Sequence, residues 1–339
     1  MLGTGIVGAG GIGARRALVA AACPQTRVVA VHDMDRCRAE HVAGQAGAAV
    51  RSHWREVVQD PEVDIVVVAT THDALAAISV AALEAQKHVL CEKPMGRTPA
   101  EVGAVVRAAH RSGTCLKAGY NHRYHPAIRQ AHTLCSSGGI GPLLHVRGRY
   151  GHGGRPGYER EWRASRQQAG GGELLDQGTH LIDLSLWILG GFAEVSGYVC
   201  TSFWDTVVED NAFGLFRTAA GQIASLHVSW TQWKNLFSLE VFGRDGYVIA
   251  EGLGRSYGVE RATVGRRRPE GGAPEEQVYE YPGEDRSWEL EWEDMLNGVT
   301  GGQPMLGSGE EALLTMEWVY RLYAASAAAR SVAATETPW

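Results

Sequence analysis

The sequence predicts an α/β protein, with a doubly wound parallel sheet first and then an α+β domain with a large, mostly antiparallel open sheet. A glycine-rich turn at 8–13 joins a short apolar segment to a helical one, and strand-like and helix-like segments then alternate to about residue 119. From about residue 195 the chain instead shows short β-like segments separated by glycine or polar turns. A length of 339 residues is sufficient for two domains with full cores.

The amino-acid composition limits the possible binding partners and the cellular compartment of the protein. Hydrophobic residues make up 45% and charged residues 21%, the balance of an ordinary soluble protein. The net charge of −6 argues against nucleic acid as the main partner. Six scattered cysteines without a C-x-x-C pair predict neither a zinc site nor a disulfide framework, and they fit a reducing compartment. With no signal-peptide pattern and no apolar run of bilayer length, we expect a cytoplasmic protein without a membrane partner.

The N-terminal segment carries a dinucleotide-binding pattern. Residues 2–7 form an apolar strand, and the turn Gly8-Ala9-Gly10-Gly11-Ile12-Gly13 precedes a helix expected over 15–22. These glycines permit a tight turn and the close approach of a pyrophosphate to the helix N-terminus. Asp33, 20 residues after Gly13, can accept hydrogen bonds from the ribose hydroxyls of NAD and repel the 2′-phosphate of NADP. We therefore expect NAD rather than NADP; a glycine turn without a ligand is the alternative.

Further βα units extend the predicted Rossmann sheet. Strands are expected at 27–31, 63–70, 88–91 and 114–119, and helices at 38–46, 54–58, 73–85 and 99–112. Ligands bind at the carboxyl ends of such strands. Lys93 stands at one of these ends, before Pro94, which favours a site role over a solvated surface lysine. The candidate cofactor-binding residues are Gly8, Gly10, Gly11, Ile12, Gly13, Asp33, Thr70, Thr71, His72, Leu75, Glu92 and Lys93.

The stretch from Gly170 to Asp183 is the centre of the prediction. We interpret it as a glycine loop running into one helix, on which Asp176, His180 and Asp183 fall within about 60° of one another. The opposite arc is leucine-rich, so this polar stripe lies on a largely buried helix, where unpaired polar groups are costly. We predict that His180 transfers a proton and that Asp176 is its neighbour in the site. The alternative is a structural His–Asp pair in the core, in which the two side chains hydrogen-bond to each other.

Two further segments invite a site interpretation. His122, His125 and His132 suggest a metal, but their spacing is not that of a zincin and Pro126 interrupts the turn, so we expect no metal. The segment 151–169 is rich in glycine and arginine, and a loop this long is typically a lid or a binding loop. The alternative is a solvent-exposed surface loop without a binding role.

The C-terminal part is predicted to be β-rich. Strands are expected at 143–150, 195–202, 209–217, 222–230, 237–243 and 246–250, a solvated polar hairpin within 265–285, and helices at 126–135, 288–297 and 309–329. The turn 205–211 carries three carboxylates and is expected at the mouth of the site, where it would favour a cationic ligand. The arginines of 151–169 favour a ligand that carries a diphosphate instead.

Several motifs occur together in a recognisable order. They are the glycine turn at 8–13, Glu92-Lys93-Pro94, Trp162-Arg163, and Gly171-Gly172-x3-Asp176-x-Gly178-x-His180-x2-Asp183. Over nearly its whole length the chain resembles the glucose–fructose oxidoreductase/inositol dehydrogenase/MocA family of NAD(P)-dependent sugar and cyclitol oxidoreductases. The resemblance implies a Rossmann domain over 1–119, a substrate-binding and oligomerisation domain over 120–339 whose last helix can pack back on the first, and a homodimer or homotetramer through the C-terminal sheet.

The resemblance also implies roles for individual residues. Lys93 corresponds to a lysine that contacts both the substrate hydroxyl and the nicotinamide ribose, and the Lys93–Pro94 bond is expected to be cis. His180 corresponds to the catalytic acid/base, and Asp176 to the carboxylate that binds the adjacent hydroxyl. The segment Thr70-Thr71-His72 departs from the Thr-Pro-Asn-x-x-His of many relatives. The candidate substrate-binding residues are Lys93, Arg123, Tyr150, Tyr158, Trp162, Arg163, Asp176 and His180.

The implied function is NAD-dependent hydride transfer at a ring hydroxyl or ketone of a sugar, an amino-sugar glycoside or a cyclitol. We favour an aminoglycoside-like sugar of secondary metabolism, oxidised to a ketone that a transaminase could use. The alternatives are a nucleotide-sugar dehydrogenase, a redox-neutral NAD-dependent glycosidase or eliminase, and a non-catalytic NAD-sensing regulator.

Overall fold

A computed structural model describes residues 1–328 and contains two sheets. The first sheet is parallel, with strand order β3-β2-β1-β4-β5-β6. Its strands are β1 (Leu2–Val7), β2 (Thr26–His32), β3 (Ala49–Val50), β4 (Ile65–Val68), β5 (His88–Glu92) and β6 (Leu116–Gly119). Its helices are α1 (Gly11–Ala22), α2 (Arg36–Ala46), α3 (Trp54–Gln59), α4 (His72–Glu84) and α5 (Pro99–Ser112). The predicted doubly wound sheet is confirmed.

The second sheet has eight strands in the order β14-β13-β12-β11-β7-β10-β9-β8, and only the β7–β10 pair is parallel. The strands are β7 (Leu143–Gly151), β8 (Glu194–Cys200), β9 (Asn211–Arg217), β10 (Ile223–Ser229), β11 (Leu236–Gly243), β12 (Gly246–Glu251), β13 (Glu260–Arg266) and β14 (Glu275–Tyr281). The large antiparallel sheet is therefore confirmed. The polar stretch 265–285, expected to form a solvated hairpin, contains the end of β13 and all of β14. These two strands pair antiparallel and extend the sheet at one edge.

The remaining helices pack either against the second sheet or against helices of the first unit. They are α6 (Pro126–Ser136), α7 (Arg166–Ala169), α8 (Glu173–Asp176), α9 (Gly178–Leu189), α10 (Ser287–Gly301) and α11 (Gly309–Ala328). Helix α11 contacts α5 of the first unit and both β8 and α9 of the second. The predicted end of this helix, Ala329, lies outside the described residues. Among residues 1–328, no helix combines the length and apolarity required to cross a membrane.

The predicted single helix after the glycine loop is divided in two. Helix α8 ends at Asp176 and α9 begins at Gly178, with Gln177 between them. The amide of His180 donates to the carbonyl of Gln177 at 3.1 Å, a spacing of three residues that tightens the chain locally. A side chain at Gly178 would come within 3.0 Å of Leu174 Cδ1. Gln177 itself keeps a right-handed helical backbone, with φ −87° and ψ −26°, so the predicted helix is interrupted at this residue only.

Candidate active site

The glycine turn lies at the carboxyl edge of the parallel sheet. Gly8 has φ +96°, and a Cβ there would lie 2.4 Å from the carbonyl oxygen of Ala69. A Cβ at Gly13 would lie 1.8 Å from the Gly8 carbonyl oxygen. At Gly10 and Gly11, in contrast, an added Cβ would meet no described atom within 4 Å. The turn is therefore packed closely against the backbone at Gly8 and Gly13, whereas Gly10 and Gly11 face open space at the start of α1. This open space fits a bound pyrophosphate.

Asp33 supports this turn from the end of β2. Its Oδ2 accepts a hydrogen bond of 2.6 Å from the amide of Ala9, and its Oδ1 one of 2.8 Å from the amide of Asp35. The carboxylate is half-buried, so it can still face a ligand. Ile12, in the first turn of α1, is exposed. This arrangement fits the ribose of NAD, and it gives Asp33 a bracing role that the sequence did not reveal.

The loop after β4 is divided between the surface and the core. Thr70 and Thr71 are partly exposed at the sheet edge. His72 is buried with Nδ1 2.9 Å from the carbonyl oxygen of Ala169, and burial lowers its pKa to about 4. Leu75 is fully buried in the core. The prediction that Leu75 contacts the cofactor is therefore corrected: its side chain packs inward because α4 turns that face toward the sheet.

Glu92 belongs to a buried ion network that the sequence analysis missed. Arg16 donates from Nε and Nη2 to Oε1 of Glu92 at 2.9 and 2.7 Å, and from Nη1 to Oε2 of Glu291 at 2.5 Å. The network joins α1, the end of β5 and α10. Because the Glu92 carboxylate is engaged by Arg16, it is not free to bind the cofactor, and the cofactor-binding role of Glu92 stays a prediction for the other atoms of this residue. A charged residue on the inner face of α1 was the available signal.

Lys93 and Asp176 form the centre of the site. Lys93 Nζ lies 2.5 Å from Oδ1 of Asp176 and 2.8 Å from the Asp176 carbonyl oxygen. Nε of Arg163 donates to the other carboxylate oxygen at 3.0 Å. Burial alone would raise the pKa of Asp176, but the charges of Lys93 and Arg163 hold it well below its usual value. The carboxylate is thus ionised and shared by two cations. The Lys93–Pro94 bond is cis, as the resemblance implied.

His180 lies beside this pair and is 4% exposed. Its Nδ1 has no hydrogen-bond partner among the described residues. Burial and the nearby charge of Lys93 lower the pKa of His180 well below its usual value, against the opposing charge of Asp176. The imidazole is therefore neutral near pH 7 and able to accept a proton.

Beneath Asp176 lies a second buried carboxyl group. Glu173 is fully buried, and neither carboxyl oxygen has a hydrogen-bond partner among the described residues. Burial and the charge of Asp176 raise the pKa of Glu173 well above its usual value. Burial therefore favours the neutral acid form of Glu173, a group that the sequence analysis did not single out.

The predicted aromatic residues occupy different positions. Tyr150 is buried, with its hydroxyl 3.1 Å from Nε2 of His122. Tyr158 is buried against Trp230, so its ring is not exposed for the substrate contact predicted from the sequence. Trp162 is partly exposed; its ring meets His72 edge-on at 4.8 Å, and Arg163 lies over it at 4.5 Å.

Arg123 is not at the candidate site. It is 1% exposed, donating from Nε and Nη2 to Asp183 at 2.9 and 2.6 Å and from Nη1 to Glu311 at 2.7 Å. The substrate-binding prediction for Arg123 is corrected, because each donor nitrogen faces a carboxylate of α9 or α11. Asp183 is likewise a structural partner rather than part of a catalytic stripe.

The carboxylates of the 205–211 turn and the three histidines considered for a metal do not form one cluster. Glu209 accepts a hydrogen bond of 2.6 Å from the Tyr323 hydroxyl, and Asp210 caps backbone amides. Of the three carboxylates in the 205–211 turn, only that of Asp205 is therefore exposed. His132 stacks on Trp187, away from the other two histidines. Within residues 1–328, no three His, Cys, Asp or Glu side chains are arranged to hold a metal ion.

Family models match both parts of the chain. Residues 2–120 match the oxidoreductase family NAD-binding Rossmann fold, and residues 128–249 match the GFO/IDH/MocA C-terminal domain. The chain belongs to the GFO/IDH/MocA oxidoreductase family. The resemblance based on its motifs is confirmed, and the first unit is an NAD-binding Rossmann domain.

Relatives within this family are sugar and cyclitol dehydrogenases. A levoglucosan dehydrogenase of Pseudarthrobacter phenanthrenivorans is 28% identical over 284 residues, 73% of each chain. Inositol 2-dehydrogenase 2 of Saccharopolyspora erythraea is 33% identical over 189 residues, 55% of this chain and 53% of its own. The structure of GenD2 from gentamicin A biosynthesis, in complex with NAD, matches with a TM-score of 0.85 and 28% identity, covering 97% of this chain and 95% of that one.

Proposed function

We propose that this protein is an NAD-dependent dehydrogenase that oxidises a ring hydroxyl of a sugar glycoside, with aminoglycoside-like sugars as the favoured class. The observation that carries the proposal is the convergence of Lys93, Asp176 and His180. Lys93 directly follows β5, at the edge of the parallel sheet that also carries the glycine turn. The similarity to GenD2 of gentamicin A biosynthesis and to levoglucosan dehydrogenase supports this substrate class.

The proposed reaction uses NAD and the side chains of His180 and Lys93. NAD, when bound, supplies the nicotinamide that accepts a hydride from the carbinol carbon. His180, whose buried imidazole is neutral, takes the proton of the reacting hydroxyl. The Lys93 ammonium donates a hydrogen bond to the same oxygen and stabilises its developing negative charge. In the reverse direction the same groups return the proton to a ketone.

Asp176 has a positioning role in this scheme. Its two oxygens hold Lys93 and Arg163, so it fixes the ammonium in place. The remaining acceptor capacity of the carboxylate is available to the hydroxyl next to the reacting one.

The charges of the loop 151–169 favour a glycoside over a nucleotide sugar. Arg155 pairs with Glu161, Arg160 with Glu159 and Arg163 with Asp176. Arginines that already face carboxylates form a poor clamp for a diphosphate. The turn 205–211 favours a cationic sugar less than its three carboxylates suggested, because Glu209 and Asp210 are buried. An uncharged or moderately charged glycoside fits this balance.

The test is a substrate panel of glycosides, cyclitols, aminoglycosides and nucleotide sugars, followed by NADH absorbance with NAD supplied in excess. Stoichiometric NADH formation with a glycoside or aminoglycoside is the expected result. Product formation without NADH accumulation would establish a redox-neutral enzyme instead. Oxidation of nucleotide sugars alone would refute the proposed substrate class.

We also propose that copies of the chain associate through the open face of the second sheet. Apolar side chains on β8, β9 and β10 are exposed on this face, namely Tyr198, Phe213, Leu215 and Ile223. Such a surface is typical of an interface between copies. Light scattering should give a dimer or tetramer mass, and Leu215→Asp should lower it; a monomeric wild-type protein would contradict the proposal.

A further inference from the structure

Two exposed aromatic rings stand together on neighbouring loops of the second sheet. Phe203 lies between β8 and β9 and is 62% exposed, and Trp233 lies between β10 and β11 and is 63% exposed. Their ring centroids are 4.8 Å apart and their planes nearly perpendicular, at 83°. We call this pair the outer aromatic pair. Large rings that remain in water cost hydration free energy unless a partner covers them.

The outer aromatic pair is supported from behind by buried rings. Phe203 meets Trp204 edge-on at 5.3 Å, Trp204 lies 5.9 Å from Tyr158, and Tyr158 lies 5.0 Å from the fully buried Trp230. Nε1 of Trp204 donates to the carbonyl oxygen of Trp230 at 3.0 Å. A continuous row of aromatic side chains thus runs from the core to the surface and fixes the outer rings.

The loop that carries Phe203 is held by one buried carboxylate. Asp210 accepts hydrogen bonds from the amides of Ser202, Phe203 and Trp204, at 2.8, 2.8 and 3.0 Å. Three amides bound to a single buried side chain define the loop conformation before any ligand arrives. A site built in this way loses little conformational entropy on binding.

Trp233 is held in an uncommon backbone conformation. Its φ is +57°, in the left-handed region that bulky residues rarely adopt. A Cβ at Gly153, on the neighbouring loop, would lie 3.1 Å from the Cα of Trp233, so the two backbones are in close contact. Strained residues of this kind are concentrated at ligand-binding positions.

The outer aromatic pair is continuous with the candidate active site. A Cβ at Gly154 would lie 2.6 Å from Cζ2 of Trp204, and the amide of Gln232 donates to the carbonyl oxygen of His152 at 3.2 Å. His152 of the same loop meets Tyr158 edge-on at 5.6 Å, and the charge of Asp176 acts on both of these side chains. The row of rings behind Phe203 therefore reaches the surroundings of the Lys93–Asp176 ion pair.

We propose that the outer aromatic pair is a subsite for a second sugar ring, separate from the ring that is oxidised beside Lys93. This inference rests on the proposed function and specifies its substrate class as a glycoside of at least two rings. The apolar C–H faces of a pyranose pack against aromatic rings. The exposed neighbours Asp205 and Lys234 offer hydrogen-bonding groups of both charges to the hydroxyl or amino substituents of that ring.

The test compares matched substrates in the full-length, NAD-supplied protein. Methyl glucoside and methyl 2-amino-2-deoxyglucoside represent one ring, and maltose, cellobiose and the pseudodisaccharide paromamine represent two. For Trp233→Ala and Phe203→Ala we expect the ratio of kcat/KM for two-ring over one-ring substrates to fall by about ten-fold. Trp233→Phe, which keeps a ring, should retain most of the ratio. Val278→Ala removes an exposed apolar group from β14 and is the matched control.

An unchanged ratio in both alanine variants, or an equal loss for one-ring and two-ring substrates, would overturn the inference. So would a change of oligomer mass in these variants, since the rings would then belong to an interface between copies. If the wild-type protein oxidises no substrate, calorimetry of the two-ring sugars with the NAD-loaded protein tests the subsite independently of the reaction. Binding that weakens in Trp233→Ala supports the subsite even where the proposed oxidation fails, and undetectable binding contradicts it.

Discussion

The imidazole rings of His122 and His180 are stacked, with their centroids 3.7 Å and their planes 17° apart. His122 is itself fixed, since Nδ1 lies 3.1 Å from Oδ1 of Asn121 and Nε2 lies 3.1 Å from the Tyr150 hydroxyl. Burial lowers the pKa of His122 well below its usual value, and the neighbouring His180 lowers it further. His122 is therefore a neutral ring that holds the orientation of His180.

We expect His122→Ala to lower kcat by about ten-fold or more, because a misoriented base transfers protons poorly. His122→Phe keeps a ring in the stack and should retain more activity. The pH profile of kcat/KM should change in the alanine variant, since the environment of His180 changes. Identical kcat and pH profiles in wild type and His122→Ala would contradict a positioning role.

Removal of the proposed catalytic groups should reduce turnover without loss of the fold. His180→Ala and Lys93→Met should each lower kcat by about 10²- to 10⁴-fold, since each removes a group placed at the reacting oxygen. Asp176→Asn should also lower kcat, because Lys93 and Arg163 lose their shared anion. NAD affinity by fluorescence titration and Tm are the controls; near-normal turnover in any variant would refute the role of that residue.

Asp33 should set the choice between NAD and NADP. Asp33→Ala is expected to raise the ratio of kcat/KM for NADP over NAD by about ten-fold or more, since the carboxylate repels a 2′-phosphate. NAD efficiency should fall too, because Asp33 also accepts from the amide of Ala9. Asp33→Asn keeps that acceptor without the charge and separates the two effects. A wild-type preference for NADP would invalidate the assignment.

Arg123 should matter for stability rather than for substrate. Arg123→Met leaves Asp183 buried without its partner and should lower the free energy of unfolding by about 3–5 kcal/mol. The exposed pair Arg36–Glu40 is the matched control, and Arg36→Met should cost less than about 1 kcal/mol. Denaturant titration measures both. A stable Arg123→Met protein with a raised KM would restore the substrate-binding prediction.

His72 should contribute to acid sensitivity. Its pKa is about 4 in the folded protein and about 6.5 in the unfolded chain, so between these values the unfolded chain binds more protons. Stability should therefore fall as the pH falls from about 6.5 to 4, by up to about 1.4 kcal/mol per pH unit from this group. His72→Asn should make the slope of unfolding free energy against pH shallower. His41→Asn, on the surface of α2, should leave it unchanged, and equal slopes in all three proteins would exclude the effect.

Local patterns in the sequence determined the fold class and the positions of most elements. Gly8 and Gly13 can be predicted at a tight turn because their roles depend on adjacent backbone, and parallel strands place their ends along one edge whatever lies elsewhere. The motifs likewise identified Lys93, Asp176 and His180 as candidates, because each belongs to a short pattern of fixed spacing.

Only the tertiary structure decided which of these side chains meet. Lys93 and Asp176 are 83 residues apart in the chain, and Arg16 and Glu291 are 275 apart. Helical spacing grouped Asp183 with His180 on one helix, but Arg123 pairs with Asp183 and gives it a structural role. Tyr158 could not be distinguished from a surface ring until Trp230 was placed against it. Burial and pairing depend on segments distant in sequence, and no local pattern encodes which distant group will neutralise a charge or cover a ring.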